Sequence, residues 1–90
     1  MERKEKELEK QLRAMGNQRR LAILKYLKTN REAPVGEIAN EINLSFKSTS
    51  RHLSVLASAD ILEKEQRSLQ VFYRLASTHP SAVAHVITIL

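Results

Sequence analysis

Pro34-Val35-Gly36-Glu37-Ile38-Ala39-Asn40-Glu41-Ile42-Asn43-Leu44-Ser45-Phe46-Lys47-Ser48-Thr49-Ser50-Arg51-His52-Leu53-Ser54-Val55-Leu56-Ala57-Ser58-Ala59 is the stretch that decides the architecture. Pro34 suits the first turn of a helix, where a missing N–H costs nothing. Val35, Ile38, Ala39 and Ile42 then share one helical face. Asn43-Leu44-Ser45 breaks the pattern. Asn tolerates the left-handed backbone of a tight turn, and the Ser45 hydroxyl can cap a following helix. That helix runs to about Ala59, with Asp60 as its terminator. Two helices joined by so short a turn have the spacing of a helix-turn-helix.

The second of these helices separates into two faces. With Lys47 at 0° and about 100° per residue, Arg51 falls near 40°, Val55 near 80°, Ser48 near 100° and His52 near 140°. Phe46, Thr49, Leu53, Leu56 and Ala57 fall between roughly 180° and 280° and are expected to face the core. No acidic residue lies between Leu44 and Ala59. A DNA major groove admits one helix, whose N-terminal side chains reach base edges. Short serines allow close approach, and Lys or Arg can donate to guanine or to phosphate.

Outward from this segment, residues 18–29 carry Leu21, Ala22, Ile23, Leu24, Tyr26 and Leu27 on more than one side, so that helix is expected to be central. Gly16-Asn17 precedes it, Gly for a left-handed helix end and Asn as an N-cap. Residues 2–15 form an earlier helix with Leu8, Leu12 and Met15 in a narrow stripe. Glu2–Lys6 and Glu9–Arg13 are its expected ion pairs. Arg31 to Ala33 reads as a loop. Residues 61–66 and 70–76 read as strands, with Val71, Tyr73 and Leu75 alternating, joined by Arg67-Ser68-Leu69. Ser77-Thr78-His79-Pro80 opens a last helix with Val83, Ile87 and Leu90 as its stripe. The fold class is therefore mainly α with a small β-hairpin (α+β). It is a winged helix-turn-helix in the order ααααββα, one domain over 1–90, with the helix-turn-helix at 34–59 and the wing at 61–76.

Composition sets bounds on function. Fifteen Lys+Arg against ten Asp+Glu give the 90 residues a net charge of +5, with a pI near 9.9. A basic balance of this size is expected of nucleic-acid-binding domains. The excess lies in residues 1–31, with ten basic and four acidic groups, against five and six in residues 32–76. With no cysteine, disulfides, thiolate nucleophiles and thiol metal sites are excluded. The charged opening Met1-Glu2-Arg3-Lys4-Glu5 does not suit a secretory signal, and no apolar run is long enough to span a bilayer. The expected location is the cytoplasm, with no membrane partner.

Several segments together resemble the ArsR-type winged-helix transcriptional regulators. Gly16-Asn17-Gln18-Arg19-Arg20-Leu21-Ala22-Ile23-Leu24 looks like that family's "G-N-P-x-R-L-x-I-L". Val35-Gly36-Glu37-Ile38-Ala39 is similar to "V-G-E-L-A". Ser50-Arg51-His52-Leu53-Ser54-Val55-Leu56 resembles "S-R-H-L-x-V-L", and Val71-Phe72-Tyr73-Arg74-Leu75 looks like "V-Y-Y-R-L". The likeness runs over about residues 12–76. It implies a homodimer that binds a palindromic operator in double-stranded DNA and represses transcription until a signal releases it. The candidate DNA contacts are Ser45, Lys47, Ser48, Ser50, Arg51, His52, Lys64 and Arg67. Arg51 and His52 are assigned to bases, Lys47 and Arg67 to phosphates. The resemblance places the dimer interface on the first and last helices, 1–15 and 79–90. Leu8, Leu12, Val83, Val86, Ile87 and Leu90 are its expected exposed residues. Where many members of the family carry glycine, this chain has Asn43, Asp60 and, at the wing tip, Ser68-Leu69.

Metal-sensing members use cysteines where this chain has Pro34 and Gly36, neither of which ligates. His79 and His85 stand about 240° apart on a helix, too far round for one ion within a chain. No metal, cofactor or identified inducer is therefore expected. Catalysis lacks a Ser, His and carboxylate grouping, and two glycines in total leave no phosphate-cradling loop. The alternative to a DNA reader is a winged helix used for protein contacts. An enzyme assembled at a dimer interface is a third class, for which no residue pair suggests a chemistry.

Overall fold

The computed structural model describes residues 2–90. Its elements are α1 (Arg3–Met15), α2 (Gln18–Thr29), β1 (Ala33–Pro34), α3 (Val35–Glu41), α4 (Phe46–Ser58), β2 (Leu62–Arg67), β3 (Gln70–Leu75) and α5 (Ser81–Ile89). The expected order ααααββα holds, with one addition. Ala33–Pro34, read from sequence as a loop and a helix start, is a short strand, and Pro34 caps α3 from outside. Ala33 lies opposite Tyr73 and Pro34 opposite Phe72, so the sheet is three-stranded and antiparallel in the order β1-β3-β2. No helix among the described residues is long and apolar enough to cross a membrane.

Local chemistry fixes the helix ends. The Asn17 side chain accepts from the Arg20 N–H at 3.1 Å, and Ser45 Oγ accepts from the Ser48 N–H at 3.1 Å. Each satisfies one of the donors that the first turn leaves free. Asn43 and Asp60 take φ of 56° and 60°, the left-handed conformation their short polar side chains tolerate. Gly16 differs from expectation. Its φ is −79°, so it is not left-handed. A Cβ there would sit 3.0 Å from the Leu12 carbonyl oxygen, so the residue serves close approach. On α1, Arg13–Glu9 pairs at 3.6 Å, while Arg3 pairs with Glu7 at 3.1 Å. Exposed pairs of this kind add little stability.

The core gathers a side chain or more from every helix: Met15 of α1, Leu24 and Leu27 of α2, Ile38 of α3, Leu53 and Leu56 of α4, and Val83 of α5. Ile61, Leu62 and Tyr73 close it from the wing side. Val83 corrects the sequence reading. It is fully buried, not exposed, because α5 lays its Val83 side on the body of its own chain. Val86, Ile87 and Leu90 are half-buried against the same core. Leu8 and Leu12, at 41% and 52% exposure, are open as expected, and Ile89 is open beside them in class. The last helix also begins at Ser81, after Pro80 as N-cap, so His79 lies outside it.

Candidate nucleic-acid interface

α4 is held to the body by the side that carries Thr49, Leu53 and Leu56, all fully buried. Its opposite side is therefore outward, and Lys47, Ser48 and Arg51 stand exposed on it. Ser45 is exposed at the cap, and Ser50 is half-buried toward the wing. Phe46 departs from the sequence reading. Placed there on the core side, it is instead 63% exposed, because it occupies the first turn of α4, beyond the end of the packed stripe. After the Ser45 cap, the remaining first-turn N–H groups of α4 and its dipole favour an anion such as a phosphate.

Two adjacent arginines of α2 fix where α4 sits. Arg19 Nη1 donates to the Ile42 and Asn43 carbonyl oxygens at 2.9 and 3.3 Å, gripping the turn between α3 and α4. Arg20 Nε donates to the Ala14 carbonyl oxygen at 2.6 Å and Nη2 to that of Arg13 at 3.3 Å, satisfying the end of α1. Arg20 Nη1 also reaches His52 Nδ1 at 3.1 Å. Guanidinium has no acceptor, so Nδ1 must be the acceptor and the ring proton sits on Nε2. Burial, followed by the charges of Arg20, Arg19 and Arg51, lowers the His52 pKa below 6.5. His52 is thus a neutral, half-buried ring at the flank of the exposed face, with one N–H donor left to offer. Arg19 and Arg20 were quoted in the sequence but given no role. A signal was there: two cations at a helix N-terminus oppose its dipole, which points to acceptors outside the helix.

The wing is tied down. β2 and β3 pair from Leu62↔Leu75 to Arg67↔Gln70, leaving Ser68-Leu69 as a two-residue loop. Ser68 has φ 55°, at the first loop position, where a type II′ turn ordinarily takes glycine. Arg67, expected as a free phosphate contact, is engaged within the protein. It donates to both carboxylate oxygens of Glu32 at 2.6 and 2.8 Å and to Glu65 at 3.1 Å, and lies 4.5 Å over the Phe72 ring. Its hydrogen bonds hold the Glu32 and Glu65 carboxyls below their ordinary range. Arg74 is likewise paired with Glu63 and Glu65. Lys64 is exposed, with no ion pair among the described residues. His79 Nε2 lies 3.3 Å from the Ile61 carbonyl oxygen, a structural contact. No cluster of three or more His, Asp or Glu side chains suited to a metal is present among the described residues.

A helix-turn-helix with a cationic outward helix and a β-hairpin beside it defines a winged-helix DNA-binding protein. Residues 17–64 match the model of the bacterial regulatory protein, arsR family. Over 76 residues the chain is 37% identical to the transcriptional activator HlyU of Vibrio cholerae, covering 84% of this chain and 69% of that protein. A solved structure of HlyU from the same organism superposes with a TM-score of 0.82 at 32% identity, covering 99% of this chain and 92% of the other. A homodimeric winged helix-turn-helix DNA-binding domain from Mycobacterium bovis, described as a possible ArsR-family regulator, superposes with a TM-score of 0.80 at 26% identity, covering 99% and 82%. The chain belongs to the bacterial ArsR family. It is a DNA-binding transcription regulator, and members of that family are not enzymes.

Proposed function

We propose that the protein acts in the cytoplasm as a homodimer that reads a palindromic operator and represses transcription by occupying it. The carrying observation is the outward face of α4: Lys47, Ser48 and Arg51 exposed on a helix whose other side is buried and which holds no carboxylate. Arg51 takes a base edge, Lys47 and the α4 N-terminus take phosphates, and Ser48, Ser45 and Ser50 allow close approach. The Nε2–H of His52 donates at the flank. Lys64 adds a phosphate contact from the wing, and Arg67 contributes by holding the wing in place. In this reading 34–59 is the reading unit, 61–76 the wing, and the helices within 1–15 and 79–90 the dimer contact.

The homodimeric relative from Mycobacterium bovis supports the two-fold reading, as do the open Leu8, Leu12 and Ile89 on α1 and α5. In such a dimer two copies of α4 about 34–36 Å apart enter successive major grooves. Repression is adopted because blocking a promoter needs no surface beyond the one that binds DNA. HlyU is named an activator, and the position of the operator relative to the promoter decides between the two outcomes.

The test is selection from a randomised duplex pool, followed by footprinting and a reporter fused to the selected site. An inverted repeat protected on two successive major grooves, with reporter output lowered, is expected. No enrichment over the starting pool, together with flat salt dependence on random duplex, would leave the protein-contact alternative standing.

A further inference from the structure

Leu69 sits at the wing tip with 96% of its surface exposed. The hairpin gives no reason for it. The loop conformation is carried by Ser68 at φ 55° and by the Arg67↔Gln70 pair beside it. Turn positions favour Gly, Asn, Asp, Ser or Pro on conformational grounds, and a leucine supplies none of those advantages. The leucine is also not isolated. It lines a groove of about 230 Å³ together with Val71, Phe46 and Ser50, so the tip is continuous with the N-terminal end of α4. Phe46 is the second large apolar side chain exposed on that border.

The wing's electrostatics point the same way. A wing that entered a minor groove by charge would present a free arginine or lysine at its tip. Here Arg67, the cation next to the tip, has its guanidinium shared between Glu32 and Glu65 and stacked on Phe72. Arg74 is shared between Glu63 and Glu65. The same pairs stiffen the hairpin that carries Leu69. The tip is therefore a rigid apolar prong whose neighbouring charge is neutralised in advance.

We propose that Leu69 is a specificity-determining contact to DNA, an apolar wedge that the wing places in the minor groove flanking each half-site. Apolar side chains in that groove act by entering between base steps and partly unstacking them. Pyrimidine–purine steps such as TA and CA unstack most readily. The wedge therefore selects a flexible step in the flank at a position where no hydrogen bond reads a base. This rests on the regulator reading above and adds to it a second, shape-based element of recognition.

The experiment uses the full chain and the duplex most enriched from a randomised pool by the wild type. Wild type, Leu69→Ser and Leu69→Met are compared by fluorescence anisotropy on that duplex and on a version with the flanking steps changed to G·C. Each is measured across about 50 to 200 mM salt. Leu69→Ser is expected to bind the selected duplex about tenfold more weakly, the loss of one well-buried apolar contact per wing. Its salt slope stays that of the wild type, because no phosphate contact is removed. It no longer distinguishes the two flanks, while Leu69→Met keeps most of both properties. Leu69 touches nothing in the core, so all three proteins are expected to melt alike. Leu69→Ser binding as tightly as wild type, with the flank preference intact, overturns the proposal and leaves the tip as a contact for another protein. A loss of affinity accompanied by a changed salt slope overturns it too, since the tip then acts through charge. If the wild type enriches no sequence at all, the regulator reading itself fails and this inference with it.

Discussion

Thr49→Val is expected to stabilise the protein without altering its affinity for DNA. Thr49 is fully buried in the middle of α4, and its Oγ1 has no hydrogen-bond partner. A buried hydroxyl left unpaired costs about 1–3 kcal/mol. Valine replaces it with a methyl group of nearly the same shape, and the two residues have similar helix propensities. The net gain is therefore about 1–2 kcal/mol. For a chain of this size that corresponds to a rise in Tm of roughly 5–10 °C. Urea unfolding at fixed protein concentration measures the first quantity and thermal circular dichroism the second. Protein concentration must be held constant because a dimer's apparent stability depends on it. Thr49 lies about 160° around the helix from Arg51, so the operator affinity of the variant should match that of the wild type. A variant of equal or lower stability would falsify the argument, for it would mean that the hydroxyl has an acceptor or that the site does not accept a methyl group. A changed DNA affinity would show that Thr49 sets the pose of α4 as well as filling space.

Arg51→Ala should weaken binding to the selected operator by about 1–3 kcal/mol and relax preference at one base position. Lys47→Ala should weaken all duplexes alike and reduce the salt slope by about one; gel shifts at several salt concentrations separate the two. His52, whose pKa is lowered in the fold, stays neutral while the unfolded chain takes up a proton below pH 6.5. The unfolded state then binds more protons, so stability is full above that pH and declines as pH falls from it toward the lowered folded value. His52→Gln should flatten this window in urea titrations, and equal slopes in both proteins would count against the Arg20 contact. Leu12→Glu should shift sedimentation from dimer to monomer at micromolar concentration; an unchanged dimer would remove α1 from the interface.

The sequence was most informative where a residue's local chemistry has few outlets. Asn17 and Ser45 could be assigned as caps and Asn43 and Asp60 as left-handed residues because each uses only its nearest neighbours. The two faces of α4 were legible from periodicity, apart from Phe46, which lies on the apolar side of the helical wheel but past the end of the core. Periodicity gives direction around a helix and says nothing of how far along it the packing extends. Arg67 was misjudged for a different reason. Its main partner, Glu32, is 35 positions away and is brought near by the β1–β3 pairing, a strand of two residues too short to show any alternation. Val83 was misassigned because an apolar stripe on a terminal helix looks the same whether it meets its own body or a second copy. The site was thus readable on the recognition helix and opaque on the wing, where long-range pairs decide which charges are free.

The borders of the small sheet limit how copies of this protein can join. On one side β1 is only two residues long and ends in Pro34, which has no N–H to offer an incoming strand. On the other, β2 presents Glu63, Lys64, Glu65, Gln66 and Arg67 in succession, a charged hem that disfavours strand addition. Neither border invites ribbon-like growth, so the sheet is closed to self-templating at both ends and the wings stay separate, one per protomer, wherever the protein assembles.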